Sequence, residues 1–163
     1  AIGGALAHAG EFMAWYAPTV NSYRRIRGVD AAGWGTTWAY EHRFASVRIL
    51  GTEPDDLRLE FRLPGADANP YLVLTALLAS VRDGFAHQTD PGPELVGNPY
   101  EKPATGIPQD LGEAATAMDA GGFARGAVGD STVDHYLTLT RWEWSQFLDS
   151  VSEWDRLRYF DLI

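Results

Sequence analysis

Apolar and charged side chains alternate along residues 57–63, which read Leu-Arg-Leu-Glu-Phe-Arg-Leu. A β-strand turns successive side chains to opposite faces, so this alternation predicts a strand whose four apolar residues face a core. Arg58, Glu60 and Arg62 then form a row on the other face. A carboxylate flanked by two guanidinium groups can hold a metal ion beside an anionic substrate. A half-buried strand with a solvated charged face explains the same pattern.

Two further strands are predicted upstream of this one. Residues 36–40 and 44–50 are rich in β-branched and aromatic side chains, and residues 51–56 read as a turn. The second of these strands and the charged strand therefore form a predicted β-hairpin with a long loop. Arg43 and Arg48 have opposite parity, so Arg43 is expected at the entry to the strand, unless a bulge intervenes.

The first half of the chain also contains helical patterns. Residues 1–16 are predicted to form a helix that ends before a proline. Residues 21–35 combine three arginines with three glycines and are predicted to be a flexible, arginine-rich loop. Asn69 is a good N-cap and is followed by proline, so a helix is predicted from there to Gly84.

The second half of the chain is predicted to be mainly helical. After an irregular, proline-rich connection over residues 87–109, Asp110 is expected to begin a helix that ends at Gly121. Ser131 or Thr132 is expected to cap a long helix that ends near Leu148. A short final helix is expected to pack three aromatic or aliphatic side chains into the core, namely Trp154, Leu157 and Tyr159.

Composition and charge narrow the possible functions. The 163 residues suffice for one domain with a core, and 45% hydrophobic against 21% charged residues is typical of a globular chain. A net charge of −9 disfavours nucleic acid, because such a chain repels a phosphate backbone. The absence of cysteine excludes disulfides, zinc–thiolate sites and thiol catalysis, which fits a reducing cytoplasm. No apolar run is long enough to span a bilayer.

The chain begins inside an apolar segment. Residues 1–7 have neither an N-cap residue nor the basic region of a signal peptide. We therefore expect this sequence to be the C-terminal piece of a longer protein.

Several segments together resemble the C-terminal part of the glutamine synthetase family of ATP-dependent glutamate–amine ligases. They follow one another in the family's order and spacing, and they cover nearly the whole chain. They are the Ala-Pro-Thr-Val-Asn-Ser-Tyr-Arg-Arg run at 17–25, His-Arg at 42–43, Val-Arg-Ile at 47–49, Arg-Leu-Glu-Phe-Arg-Leu-Pro at 58–64, Asn-Pro-Tyr-Leu at 69–72, Gly-Asn-Pro-Tyr at 97–100 and the Trp-Asp-Arg-containing run at 153–160.

The resemblance implies an α/β (α+β) fold in which a curved antiparallel sheet is backed by helices. Residues 1–163 would form a partial catalytic domain, without the family's N-terminal β-grasp domain and the first part of its catalytic domain. Family members phosphorylate the γ-carboxylate of glutamate with ATP and Mg²⁺ or Mn²⁺, and ammonia or an amine then displaces the phosphate. The resemblance also implies a cytoplasmic homo-oligomeric ring that serves nitrogen metabolism, with no nucleic-acid or membrane partner.

The family's functional residues map onto five positions. Glu60 resembles the carboxylate that binds the metal ion near the nucleotide phosphates. Arg62 and Arg25 resemble the arginines that bind glutamate. Arg43 resembles the catalytic arginine that contacts the transferring phosphate, and Arg48 resembles an ATP-phosphate contact. Arginine suits these roles because its planar fork binds carboxylate and phosphate through two parallel hydrogen bonds.

The chain departs from the family pattern at several positions. His42 stands where an asparagine is usual, and either replaces an amide hydrogen bond or packs. Ala31, with Asp30 beside it, stands where glutamine synthetases carry a glutamate that helps to deprotonate ammonium. Loss of that carboxylate favours a larger amine, such as a polyamine, ethanolamine or an aromatic amine. Tyr100 matches the region of a regulatory adenylylated tyrosine, but its neighbours argue against that modification.

Three alternatives to an amine ligase remain open at this stage. The chain belongs to a plain glutamine synthetase that uses ammonia, to a non-catalytic structural or regulatory ring protein, or to a small stand-alone binding domain. Retention of four arginines and Glu60 argues against a decayed site. Because Glu60 alone cannot hold the metal ions, the isolated chain is expected to be inactive.

Overall fold

A computed structural model of the protein describes residues 1–28, 33–101 and 105–162. In this part of the chain, a small sheet and a set of helices pack around two adjoining apolar clusters. The helices are α1 (Ile2–Ala7), α2 (Met13–Tyr16), α3 (Val20–Gly28), α4 (Pro70–Ala86), α5 (Leu111–Ala120), α6 (Gly122–Val128), α7 (Asp130–Asp149) and α8 (Glu153–Tyr159), and a 3-10 turn spans Pro99–Glu101. The strands are β1 (Trp38–Tyr40), β2 (Val47–Leu50) and β3 (Arg58–Phe61).

The described strands form one sheet in the order β1-β2-β3. The predicted hairpin is confirmed: β2 and β3 are antiparallel, and Arg48 lies opposite Glu60. The expectation of an antiparallel sheet is wrong for β1 and β2, which run parallel with Trp38 opposite Val47. A parallel return is possible here because β1 is so short, about 10 Å, that residues 41–46 can lead the chain back to its start.

One face of the sheet is covered by α1 and α4. The apolar side chains that meet there are those of Ala5, Leu6, Val47, Ile2, Trp38, Phe61, Leu77 and Val81. A larger cluster fills the space between α2, α4, α5, α6 and α7. Its bulkiest fully buried members are Phe12, Met13, Trp15, Tyr16, Leu63, Leu111, Met118 and Val133. Burial of each such side chain contributes about 1.5–3 kcal/mol, so these two clusters hold the sheet in place.

The predicted core face of β3 is only partly correct. Leu63 is fully buried and Phe61 packs against the core, but Leu57 and Leu59 are 55% and 46% exposed. The register supports the predicted alternation of faces, because Leu59 lies opposite Ile49 and Glu60 opposite Arg48, but α1 and α4 cover only the end of the strand at Phe61. The core role predicted for Trp154, Leu157 and Tyr159 is also wrong, because all three side chains of α8 are largely exposed.

Two predicted boundaries near the N-terminus are wrong. The helix predicted over residues 1–16 is broken between α1 and α2, and His8 at the break binds Asp83 of α4 at 2.8 Å. The predicted loop over 21–35 begins as helix α3. Arginine is a good helix former, and Thr19 and Ser22 start this helix by reciprocal capping, in which each side chain accepts from the backbone N–H of the other at 3.1–3.2 Å.

The predicted caps of α4 and α5 are confirmed. The Asn69 side chain accepts a hydrogen bond from the backbone N–H of Tyr71 at 3.0 Å, and Asp110 accepts from that of Glu113 at 2.8 Å. The predicted cap of the long helix is wrong, because α7 begins at Asp130, directly after Gly129, which has a φ of 86°, and Ser131 and Thr132 lie inside the helix. No helix in the described part of the chain combines the length and apolar character that a bilayer crossing requires.

The backbones of α1 and α4 touch where two glycines meet. A Cβ atom on Gly84 would lie 2.6 Å from both the Cα and the nitrogen of Gly4. Gly126 of α6 offers a contrast, because a Cβ atom there meets nothing within 4 Å.

We expect Gly84→Ala to lower the free energy of unfolding by about 1–3 kcal/mol, because the helix backbones must separate. Gly126→Ala should raise it by about 0.5–1 kcal/mol, because alanine favours a helix interior. Urea denaturation of both variants measures the difference. Equal effects would contradict the close packing of α1 against α4.

Candidate functional site

The charged row predicted on β3 lies on the face of the sheet opposite α1 and α4. Glu60 is held there between two arginines. Its Oε2 lies 3.3 Å from Nη1 of Arg48 on the neighbouring strand, and its Oε1 lies 2.5 Å from Nη1 of Arg62. Arg58 is exposed and donates instead to the backbone oxygen of Asp56 at 3.2 Å. The structure therefore brings Arg48, Glu60 and Arg62 together and leaves Arg58 outside the cluster.

Arg48 is shared between two carboxylates. Its Nη2 donates to Oε2 of Glu41 at 2.6 Å, in addition to the contact with Glu60. These hydrogen bonds, the one to Glu41 first, raise the pKa of the Arg48 guanidinium. Its Nε is buried and has no hydrogen-bond partner in the described part of the chain. Arg48 is thus fixed as a cation, with its buried Nε–H left unused.

Arg25 approaches the same region from α3. Its Nη2 donates to the backbone oxygen of Leu63 at 2.6 Å, and its buried Nε has no hydrogen-bond partner among the described residues. Burial lowers the pKa of Arg25, Asp67 opposes this, and repulsion from Arg62 adds to it. Arginine nevertheless remains charged in proteins. Two partly desolvated cations that repel each other are stabilised when an anion binds between them.

Arg43 is not part of this cluster. It lies in the connection between β1 and β2, as its parity predicted, and is exposed, with no ion pair to the described residues. His42 beside it both packs and forms hydrogen bonds, so both interpretations of this position hold. Its Nε2 lies 3.0 Å from the backbone oxygen of Gly97, its Nδ1 accepts from the N–H of Phe44 at 3.3 Å, and its ring meets the Phe44 ring edge-on. This pattern requires the proton on Nε2.

Asp67 is a residue that the sequence analysis missed. It lies between β3 and α4, and its Oδ2 accepts hydrogen bonds from Ser22 Oγ at 2.5 Å and Thr19 Oγ1 at 3.0 Å. Partial burial acts to raise the pKa of Asp67, but these hydrogen bonds and the nearby Arg25 outweigh it and hold the pKa below its usual range. The Thr-x-x-Ser capping pattern was readable in the sequence, whereas its partner 45 residues away was not.

The charged cluster lies on an open face. A cavity of about 920 Å³ lies beside α5 and α7, and another of about 430 Å³ lies between α2 and α7. Neither is lined by Arg25, Arg48, Glu60 or Arg62. A ligand of the cluster would therefore be covered on its far side by other parts of the protein or by solvent.

Comparison with known proteins identifies the family. The family described as "Glutamine synthetase, catalytic domain" matches residues 1–159. The chain belongs to the glutamine synthetase family. It is 34% identical to a glutamate–isopropylamine ligase of Pseudomonas sp. over 99% of this chain and 36% of the relative. It is 33% identical to a γ-glutamylethanolamide synthetase of Streptomyces coelicolor over 98% of this chain and 34% of the relative.

Relatives named for an organic amine and relatives named glutamine synthetase both match the chain. The chain is 32% identical to a glutamine synthetase of Methanosarcina mazei, over 99% of this chain and 38% of the relative. Among solved structures, "Apo GmaS without ligand" superposes with a TM-score of 0.83 at 34% identity, covering 98% of this chain and 37% of that one. The chain thus spans little more than a third of the length of these relatives. The predicted family and α/β fold class are confirmed.

The carboxylates and histidines near the cluster determine whether it can hold the family's metal ion. Within residues 1–28, 33–101 and 105–162, no group of three His, Asp or Glu side chains is placed to hold a metal. Glu60 offers one carboxylate, and each of its oxygens already contacts an arginine. A catalytic metal ion needs several oxygen ligands. Glu60 therefore fits the role of one ligand among several, and the others must come from outside these residues.

Two predictions fall outside what the structure describes. Ala31 and Asp30, which carry the argument about the amine, lie outside the described residues, and so does the side chain of Tyr100. The interpretation of Ala31 as the replacement for an ammonium-site acid therefore stays a prediction.

The depressed pKa of Asp67 predicts a dependence of stability on pH. A folded-state pKa below the unfolded value, about 3.9, gives stability that is complete above that pH and is lost as the pH falls through the folded-state pKa. We expect Asp67→Asn to remove this contribution and flatten the loss of stability below about pH 4. Urea midpoints measured between pH 2.5 and 7 test this. Asp149→Asn, a change in an exposed carboxylate at the end of α7, serves as the control.

Proposed function

We propose that this chain is part of an ATP-dependent ligase that joins the γ-carboxylate of glutamate to an amine through γ-glutamyl phosphate. Membership of the glutamine synthetase family supports the reaction class. The single observation that supports a retained active site is the cluster in which Glu60 lies between Arg48 and Arg62, with Arg25 facing the same region. A non-catalytic relative has no physical need for so many partly buried cations around one carboxylate.

The cluster suits the charges of the proposed reaction. Glutamate carries two carboxylates and ATP carries a triphosphate, and further negative charge shifts between them as the phosphoryl group is transferred. Fixed cations stabilise such charge best in a partly desolvated site. We assign Arg62 and Arg25 to binding glutamate and Arg48 to the ATP phosphates. Exposed Arg43, on its loop beside β2, is free to contact the transferring phosphate.

Glu60 is proposed as a ligand of Mg²⁺ or Mn²⁺. When bound, the metal ion would neutralise phosphate charge. Glu60 is 40% exposed and pairs with two arginines, so it can exchange one of these contacts for another cation. Because the other ligands must come from elsewhere, we propose that these residues work as the C-terminal portion of a longer catalytic polypeptide and are inactive alone. We also propose that the enzyme is a cytoplasmic homo-oligomeric ring with no nucleic-acid or membrane partner.

An organic amine is the proposed second substrate. Alanine at position 31 removes a carboxylate that would bind ammonium. Relatives whose names specify isopropylamine, ethanolamide and anilide match the chain about as well as relatives named glutamine synthetase. The alternative within this class is ammonia, for which Asp30 would supply the acid.

The reaction is tested on the polypeptide that carries this chain, by phosphate release with ATP, Mg²⁺ and glutamate. The panel of amines is ammonium, isopropylamine, ethanolamine, a polyamine and aniline. We expect turnover with at least one organic amine to exceed turnover with ammonium by about tenfold or more, because a site without the carboxylate discriminates poorly in favour of ammonium. Turnover with ammonium alone would contradict the argument from Ala31. Absence of phosphate release with every amine would contradict the proposed ligase function.

The role of Glu60 is tested by Glu60→Gln, which preserves shape and removes the charge. We expect kcat to fall by about 10²-fold or more, since loss of one electrostatic contact to the transition state commonly costs this much. Glu143→Gln, a matched change on the exposed side of α7, should leave kcat within about twofold. A Glu60→Gln enzyme with normal kcat and normal Mg²⁺ dependence would exclude Glu60 as a metal ligand.

A further inference from the structure

We propose that Asp67 is a positioning residue for glutamate binding, because it fixes the first turn of α3 and so determines where Arg25 presents its guanidinium group. This inference rests on the proposed ligase function and adds to it a residue that does not itself touch the substrate.

The carboxylate of Asp67 fastens the start of α3. Its Oδ2 accepts from the hydroxyls of both Ser22 and Thr19, and these two residues already cap the helix reciprocally. Ser22 is buried, so its hydroxyl has few alternative partners. A negative charge beside the first turn of a helix is also favoured by the helix dipole. One side chain from the β3–α4 connection thus holds the first turn of α3.

The same connection binds α3 a second time, at Arg25. The guanidinium group donates to the backbone oxygen of Leu63. Ser22 and Arg25 are three residues apart and therefore lie on one face of the helix. The segment from Leu63 to Asp67 is consequently docked along that face at both of its ends. Movement of the first turn would shift Arg25, since both belong to one short rigid helix.

Gly65 allows the close approach that this arrangement needs. A Cβ atom at Gly65 would lie 2.2 Å from Oδ1 of Asp67 and 3.6 Å from Nε of Arg25. Both side chains therefore lie over the bare Cα of this residue. The backbone N–H of Gly65 also donates to the oxygen of Tyr16 at 2.9 Å, which ties the turn to the core. The support for Arg25 is thus itself anchored to rigid structure.

Repulsion between Arg25 and Arg62 makes the support from Asp67 necessary. Arg25 is partly desolvated and is repelled by Arg62, the other arginine assigned to glutamate. Without Asp67, the two cations are expected to separate, and glutamate would lose simultaneous contact with both. Arg48, assigned to ATP, is fixed by Glu41 and Glu60 and does not depend on α3. Loss of Asp67 should therefore weaken the binding of glutamate far more than the binding of ATP.

The experiment compares Asp67→Ala with Asp67→Asn in the polypeptide that carries this chain. We expect Asp67→Ala to raise the KM for glutamate about tenfold, because it leaves the hydroxyl of buried Ser22 without its charged acceptor, with the KM for ATP within about twofold. Asp67→Asn keeps an oxygen that accepts from Ser22 and Thr19, so it should restore most of the affinity. Asp119→Asn, which alters a carboxylate bound by Arg125 and Arg141 instead, is the control.

A double-mutant cycle separates positioning from general damage. In an Arg25→Ala background, Asp67→Ala should raise the KM for glutamate no further, because the group that it positions is gone. Additive effects, or equal increases in the KM for ATP and for glutamate, would overturn the proposal. If Asn and Ala at position 67 behave alike, the carboxylate acts by its charge and the positioning role fails.

A spectroscopic measurement keeps this test independent of activity. The Nε–H resonance of Arg25, assigned by its loss in Arg25→Lys, should shift in Asp67→Ala and stay in place in Asp119→Asn. An unchanged resonance would overturn the positioning role even in an active enzyme. If the unsubstituted protein releases no phosphate with glutamate and any amine, the ligase function fails, whereas a shifted resonance would still support the link between Asp67 and Arg25.

Discussion

The structure depends on a single carboxylate held between two guanidinium groups. Glu60 can meet both Arg48 and Arg62 only while β2 and β3 keep their register, because a slip of one residue would turn each side chain to the opposite face. The apolar face beneath the strands enforces that register, since Val47 and Phe61 pack against α1 and α4. Removing one partner from such a group leaves an uncompensated charge, so the three side chains stabilise or fail together.

The cluster receives a further cation from a separate element. Backbone hydrogen bonds fix Arg48 on β2 and Arg62 directly after β3, where its N–H donates to the oxygen of Ser46 at 2.8 Å. Arg25 instead comes from a helix of nine residues whose place depends on side chains. The connection after β3 joins these two kinds of support, because it continues the strand that carries Arg62 and then binds α3 through Leu63 and Asp67. Strand pairing and the side-chain contacts of a helix thus position cations at one site, which suits a site that must accept a substrate between fixed charges.

The sequence predicted what depends on local pattern. The alternation in β3, the caps at Asn69 and Asp110, and the hairpin of β2 and β3 all follow from spacing that neighbouring residues determine. Prediction from the sequence failed where residues far apart in the chain determine the structure. The helix α3 was missed because the glycines at its end and after it suggested a loop, and Asp67 acts across 45 residues. The parallel pairing of β1 depends on a return loop, and the aromatic side chains of α8 resembled core residues although no core cluster of the described chain includes them.

The short parallel pair has a consequence for how this site can vary. Arg43 lies in the loop of residues 41–46 that connects β1 to β2, the strand that carries Arg48. The loop starts at Glu41, whose φ of 50° is unusual for a residue with a side chain. Backbone hydrogen bonds between the strands fix both of its ends. Adding or deleting a residue would either change the strand register or displace Arg43. When substrate specificity changes in evolution, we therefore expect substitutions within this loop and no change in its length.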